Sequence, residues 1–225
     1  ILVLVEELIT DFCWAAINAL CKSFNNTDIK SYIDLCYQII VEGDLDQLES
    51  LTAIRLCSSH ISKNIKQDIN KAFKRDNLFF VAAVIGGIFD LKSFEEVDSY
   101  LKNFLVLLMS KYESERTKIS LEKFHDFATS DEWNVENSEE EQENNFEDFQ
   151  RIYQDSKFFQ LYNSFLMRFK GTKSKKINKL YNPQFAATFV KKYVAYLPFW
   201  SSLLTSLRHD NMEHANNGII EGKLF

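Results

Sequence analysis

Apolar residues cluster at the start of the chain and then settle into helical spacing for most of its length. Ile1-Leu2-Val3-Leu4-Val5 and Leu8-Ile9 flank a Glu6-Glu7 pair and lead into Thr10-Asp11, which predicts a buried strand ending at an acid. Residues 12–24 then place Phe12, Ala16, Ala19, Leu20 and Phe24 on one helical face. The same spacing returns over 29–41 through Ile33, Tyr37 and Ile40, with Gly43 as a stop. Thr52-Ala53-Ile54-Arg55-Leu56-Cys57 is short, apolar and partly β-branched, and reads as a second strand.

From Ser58 onward the pattern is helical. Ile61, Ile65, Ile69 and Phe73 recur every four residues, with Lys63, Lys66 and Lys71 between them, which predicts an amphipathic helix with a basic side. Ser93-Phe94-Glu95-Glu96 is a capping box, in which the Ser oxygen accepts from an orphan amide and the second Glu reaches back to the cap. It opens a helix through Leu101, Leu105 and Leu108 to about Tyr112, and a shorter helix is expected over 120–128. Residues 146–169 are helical again and rich in rings; Phe158, Phe159, Tyr162, Phe165 and Phe169 have core spacing. Asn182-Pro183 marks a last helix start, since Asn caps well and Pro at the first helical position loses no needed amide. That helix runs through Phe185, Phe189 and Tyr193 until Pro198 breaks or kinks it before Trp200. No internal repeat is visible.

Composition narrows the class. At 225 residues and 46% hydrophobic, with 26% charged, the chain has the makings of an ordinary folded domain. The longest apolar run, 78–89, spans 12 residues and contains Gly86-Gly87, short of the roughly 20 a membrane-spanning helix needs. No signal peptide is recognisable. Cys13, Cys21, Cys36 and Cys57 sit in apolar periodic segments rather than in a loop-rich framework, so reduced thiols in an intracellular protein are expected. The chain opens on Ile1 with no lead-in, and both ends read as cut.

Charge is unevenly placed. The formal net charge of -6 looks hostile to nucleic acid, but residues 131–148 hold nine acids and no Lys or Arg, which leaves the remainder at +3. That acidic stretch has few apolar anchors beyond Trp133 and Val135 and is expected to be a mobile loop. Arg168, Lys170, Lys173, Lys175, Lys176 and Lys179 form a basic connector with Gly171 and no acids; it is either a solvated loop or a contact for phosphates.

Several residues have candidate chemistry. Asp11 at a strand end fits a metal-binding carboxylate, and equally an N-cap for the helix that follows. Cys57 and His60 have the spacing of two zinc ligands, though a structural zinc site wants four, and the alternative is a buried thiol beside a helix-start histidine. Near the end, His209/Glu213 and Asp210/His214 are four residues apart and would share helical faces, a solvated turn or a second metal set. Glu221 follows Asn216-Asn217-Gly218-Ile219-Ile220.

Taken together, the stretch 9–19, the Cys57-x-x-His60 pair after a strand, and Asn217-Gly218-Ile219-Ile220-Glu221 resemble the transposase domain of Mutator-like elements and their domesticated relatives. The resemblance covers nearly the whole chain by order and spacing. It implies an α/β start with a mostly α remainder: an incomplete RNase H-like core over 1–60, a helical insertion over 61–212, and the start of a final acid-bearing helix over 213–225. Asp11 would be the second acid of the DDE set and Glu221 the third; the first has no counterpart in this chain. Cys57 and His60 would organise the active-site edge. The implied cofactor is Mg²⁺ or Mn²⁺, since phosphodiester cleavage of this kind uses two ions about 4 Å apart held by converging carboxylates. The implied partner is DNA, contacted by the basic connector, with a homo-oligomer and a nuclear location also expected. The fragment itself is expected to be inactive alone. The other reading is a non-catalytic DNA-binding or protein-assembly module of the same ancestry.

Overall fold

A computed structural model describes residues 6–11, 13–124 and 156–208. Among the described residues the protein is mostly helical, with one small parallel sheet, and the mostly α remainder agrees with the sequence pattern. β1 (Glu7–Thr10) pairs in parallel with β2 (Ala53–Leu56), in a register that sets Thr10 beside Leu56. The crossover between them contains α1 (Trp14–Asn25) and α2 (Ile29–Tyr37), and α2 continues as a π turn over Gln38–Glu42. Gly43 ends it at φ 76°, a left-handed conformation that costs glycine little.

β2 is buried on both faces, and side chains occupy its edge away from β1. Asn25 Oδ1 accepts from the Thr52 amide at 2.7 Å while its Nδ2 donates to the Thr52 carbonyl at 3.0 Å. The Tyr32 hydroxyl accepts from the Ile54 amide at 2.9 Å. Buried amides must find partners, and here two helices supply them in place of a third strand.

After β2 come α3 (Ser58–Ala72), α4 (Arg75–Gly87), a 3₁₀ turn over Ile88–Asp90, α5 (Phe94–Met109) and α6 (Glu115–Glu122). α3 buries Ile61, Ile65 and Ile69, the predicted apolar stripe. The Ser93–Glu96 capping box is present with both of its hydrogen bonds. Beyond it follow α7 (Lys157–Arg168), α8 (Pro183–Lys192), a 3₁₀ stretch over Val194–Phe199 and α9 (Leu203–Arg208). Asn182 caps α8 as expected, with Pro183 in its first turn.

Four boundaries differ from the sequence reading. α1 begins at Trp14 with Cys13 as its cap residue, so Asp11 lies outside the helix and does not cap it. The shorter helix starts at Ser114, whose hydroxyl accepts from the Thr117 amide while Thr117 Oγ1 accepts from the Ser114 amide. Ser120, taken from sequence as its start, lies inside it because the Thr117 box is a weaker signal than the Glu version. α5 stops at Met109 rather than near Tyr112, since Lys111 and Glu113 give their backbone groups to the basic connector. α8 stops at Lys192, well before Pro198, because the proline ring would clash with the Val194 carbonyl in an α-helix; the chain takes 3₁₀ turns there instead.

The core runs through both halves. Tyr32 stacks on Phe199 with centroids 5.3 Å apart, Tyr37 meets Phe158 edge-on at 5.0 Å, and Trp200 tilts against Phe89 at 5.1 Å. All but Tyr37, which is half-buried and packs against it, belong to one hydrophobic cluster of buried residues reaching from Ile17 to Leu204. Each fully buried ring or branched aliphatic contributes about 1.5–3 kcal/mol relative to exposure, so helices α7 and α8 are part of what holds the β pair. α9 adds a clamp: the Arg208 guanidinium donates to the carbonyls of Glu6, Leu48 and Leu51. Among the described residues no helix is long and apolar enough to cross a membrane.

Candidate functional site

Parallel pairing brings the carboxyl ends of β1 and β2 to the same edge, and that edge holds the candidate chemistry. The Cys57 amide donates to the Thr10 carbonyl at 2.8 Å, extending the ladder one step past β2 and fixing the Cys57 backbone beside Asp11. Cys57 is also the cap residue of α3, and His60 stands in that helix's first turn. Residues 46 and 49 positions apart in sequence therefore meet at one point, the place where open parallel sheets commonly bind ligands.

The geometry is close. His60 Nδ1 lies 3.0 Å from Asp11 Oδ1. One possible ligand atom from each of Asp11, Cys57 and His60 lies within 4.8 Å of the others. The Cys57 thiol and Ser59 hydroxyl are 2.9 Å apart. Burial pushes the Cys57 thiol up, but hydrogen bonds from the Ser59 and His60 side chains and from both backbone amides outweigh it, and the net shift is downward. The shift is toward the thiolate, the direction that a helix start also promotes. Asp11 is 73% exposed and His60 48%, so their contact, ionic only when the imidazole is protonated, is worth about 0–1 kcal/mol and does little for the fold.

The other thiols differ. Cys21 and Cys36 are buried and Cys13 is exposed; all four cysteines are free. Burial, reinforced by the charge of Asp28, pushes the Cys21 thiol up to about 12.

The ions implied by the family resemblance can be tested against this donor set. Mg²⁺ demands oxygen ligands in near-octahedral array, and Mn²⁺ also prefers carboxylate, carbonyl and water. Of the three donors only Asp11 offers a hard oxygen, and the described set does not fit either ion. Glu221 lies outside the described residues, as do His209, Asp210, Glu213, His214 and the acidic stretch 131–148.

The basic connector is irregular and exposed, and the structure shows how it is held. The buried Asn178 side chain donates to the carbonyls of Leu107 at 2.6 Å and Ser110 at 2.8 Å, and accepts from the Leu180 amide at 3.0 Å. Backbone hydrogen bonds join Glu113 to Lys176 and Lys111 to Asn178, and Asn77 Nδ2 donates to the Lys179 carbonyl. Arg168, Lys170, Lys173, Lys175, Lys176 and Lys179 all face solvent. Lys176 pairs with Glu113 at 2.8 Å, whereas no acidic side chain among the described residues pairs with the other five.

Arg168 and Lys170 line a cavity of about 400 Å³ together with Lys102, Arg116, Phe165 and Phe169. The Arg116 guanidinium lies 4.8 Å from the Phe169 ring centroid, a cation–π contact. Sequence reading missed Lys102 and Arg116, which come from α5 and α6; their only signal was a scattered cation on a helix surface, which is common on solvated faces. Phe169 is a surface platform for Arg116, whereas Phe158 and Tyr162 are buried as core spacing predicts.

Comparison of the chain with models of protein families, with curated proteins and with solved structures finds no match.

Proposed function

We propose that the chain is a transposase-derived protein that engages DNA, with an RNase H-like core interrupted by a helical insertion and a parent activity of metal-dependent strand cleavage and transfer. The observation that carries this reading is the convergence of Asp11, Cys57 and His60 at the carboxyl edge of the parallel pair. Those three residues come from motifs that resemble Mutator-like transposases, and a catalytic carboxylate of that chemistry belongs at such a strand end. Asp11 and Glu221 are the proposed acids. Mg²⁺ or Mn²⁺ would need carboxylates beyond Asp11, so the proposed role for this chain by itself is DNA binding.

The basic connector supports that role. Five of its six cations have no acidic partner among the described residues, and its backbone is pinned to α5 rather than loose. Phosphate contacts release condensed counterions, so affinity should fall steeply with salt. We expect duplex DNA to bind with a log–log salt dependence, and K173Q/K175Q/K176Q to flatten its slope by roughly 2–3 at about 0.9 per lost phosphate contact. Fluorescence anisotropy across a salt series measures this. Binding that ignores salt, or a triple variant indistinguishable from the parent, would leave a protein partner as the better reading.

A further inference from the structure

We infer that Asp11, Cys57 and His60 form a site for a borderline-soft divalent transition ion of the Zn²⁺ or Co²⁺ type, with three protein ligands and an open fourth position. This inference uses the same residues as the proposed function but rests on it only for the site's location, and on none of its DNA chemistry.

The donor set carries the argument. Thiol sulfur and imidazole nitrogen select Zn²⁺ and its neighbours over Mg²⁺, Ca²⁺ and Mn²⁺, and a single carboxylate completes a set of three. Three protein ligands plus water is the pattern of zinc sites that keep a position open for chemistry, whereas structural sites close with four. The sequence alone supplied only the Cys57-His60 pair, two ligands short of a structural site. The fold adds Asp11 as a third ligand from another strand.

Spacing agrees. Ligands about 2.0–2.3 Å from a tetrahedral ion lie about 3.3–3.6 Å from one another. Asp11 Oδ1 and His60 Nδ1 are already 3.0 Å apart, and the whole set fits within 4.8 Å. Small side-chain rotations would therefore seat the ion without moving the backbone. Two of the three ligands stand on rigid supports: Cys57 is locked to Thr10 by the ladder bond, and His60 is held in the first turn of α3. Ser59 Oγ, 2.9 Å from the Cys57 sulfur, is positioned to hydrogen-bond a ligated thiolate. Seating the ion would displace only an exposed Asp11–His60 pair, a small loss.

Titration of Co²⁺ into the full, reduced, metal-free chain tests the site. The expected result is one equivalent bound, with a thiolate-to-cobalt charge-transfer band in the near ultraviolet and the intense visible bands of a tetrahedral ion. Zn²⁺ should bleach both, and a large excess of Mg²⁺ should change neither. C57S should abolish the charge-transfer band and C13S should retain it. D11N and H60Q, both at exposed positions, should keep the far-ultraviolet circular dichroism of the parent and weaken binding about tenfold or more, since even outer partners of a ligand cost that much. No charge-transfer band, a band that survives C57S, or Co²⁺ affinity unchanged in D11N would overturn the inference. DNA affinity measured in the same metal-free protein is a separate readout, so either proposal can fail without the other.

Discussion

Two neighbouring kinds of cysteine show how position governs thiol chemistry. Cys57 sits at a helix start with hydrogen-bond donors around it, and they hold its thiol below the usual range. Cys21 is walled in by α1 and the core, and its thiol is held neutral up to about 12. The sign of the linkage follows. An acid whose folded pKa is raised contributes stability that is complete below the unfolded value near 9.0 and is lost as pH climbs toward about 12. We therefore expect urea midpoints to fall over that alkaline window, and C21A to show a shallower fall on top of its own constant packing loss. Equal slopes for C21A and the parent would mean that Cys21 is not buried as described.

Among the elements, the basic connector between α7 and α8 depends on one residue. Asn178 is 8% exposed and uses both ends of its amide, so N178A would leave the carbonyls of Leu107 and Ser110 and the amide of Leu180 short of partners. Each buried group left unmet costs about 1–3 kcal/mol, and with water reaching part of the site we expect a net loss of about 2–3 kcal/mol in chemical denaturation. A loss under about 0.5 kcal/mol, the range of ordinary surface substitutions, would show that the connector is not held this way. Asn178 was not legible in the sequence, because an Asn among lysines reads as one more loop residue. By contrast, the two strands, the stripe of Ile61, Ile65 and Ile69, the Ser93 box and the Asn182-Pro183 start were legible, each being a local pattern with a local cause. The Ser114 start was missed because Thr stands where Glu would have given the stronger signature. The end of α8 was placed too late because a proline disturbs the helix over the turn before it, not only at its own position.

At the scale of the molecule, the candidate site is made by the fold rather than by any one segment. Sequence named Asp11 and the Cys57-x-x-His60 pair, and joined them only through the family resemblance, with a cap or a buried thiol as rival readings. Their contact depends on a parallel crossover that only a packed core can impose, and that core draws on Phe158, Phe199 and Trp200 from the far half of the chain. Arg208, bonded to Glu6, Leu48 and Leu51, ties α9 to the opposite end of the same strand pair. The central proposal is a DNA-binding protein whose ancestral strand-cleavage site was the carboxyl edge of this pair, so DNA held on the connector should also reach that edge, and Cys57 offers a direct probe of it. In a C13S background Cys57 is the accessible thiol, since Cys21 and Cys36 are buried. Duplex DNA bearing a tethered thiol activated as a pyridyl disulfide should be trapped by exchange with the Cys57 thiolate, which releases the pyridinethiol, in a salt-sensitive yield that C57S abolishes. DNA that binds with the expected salt dependence yet never traps at Cys57 would contradict the account.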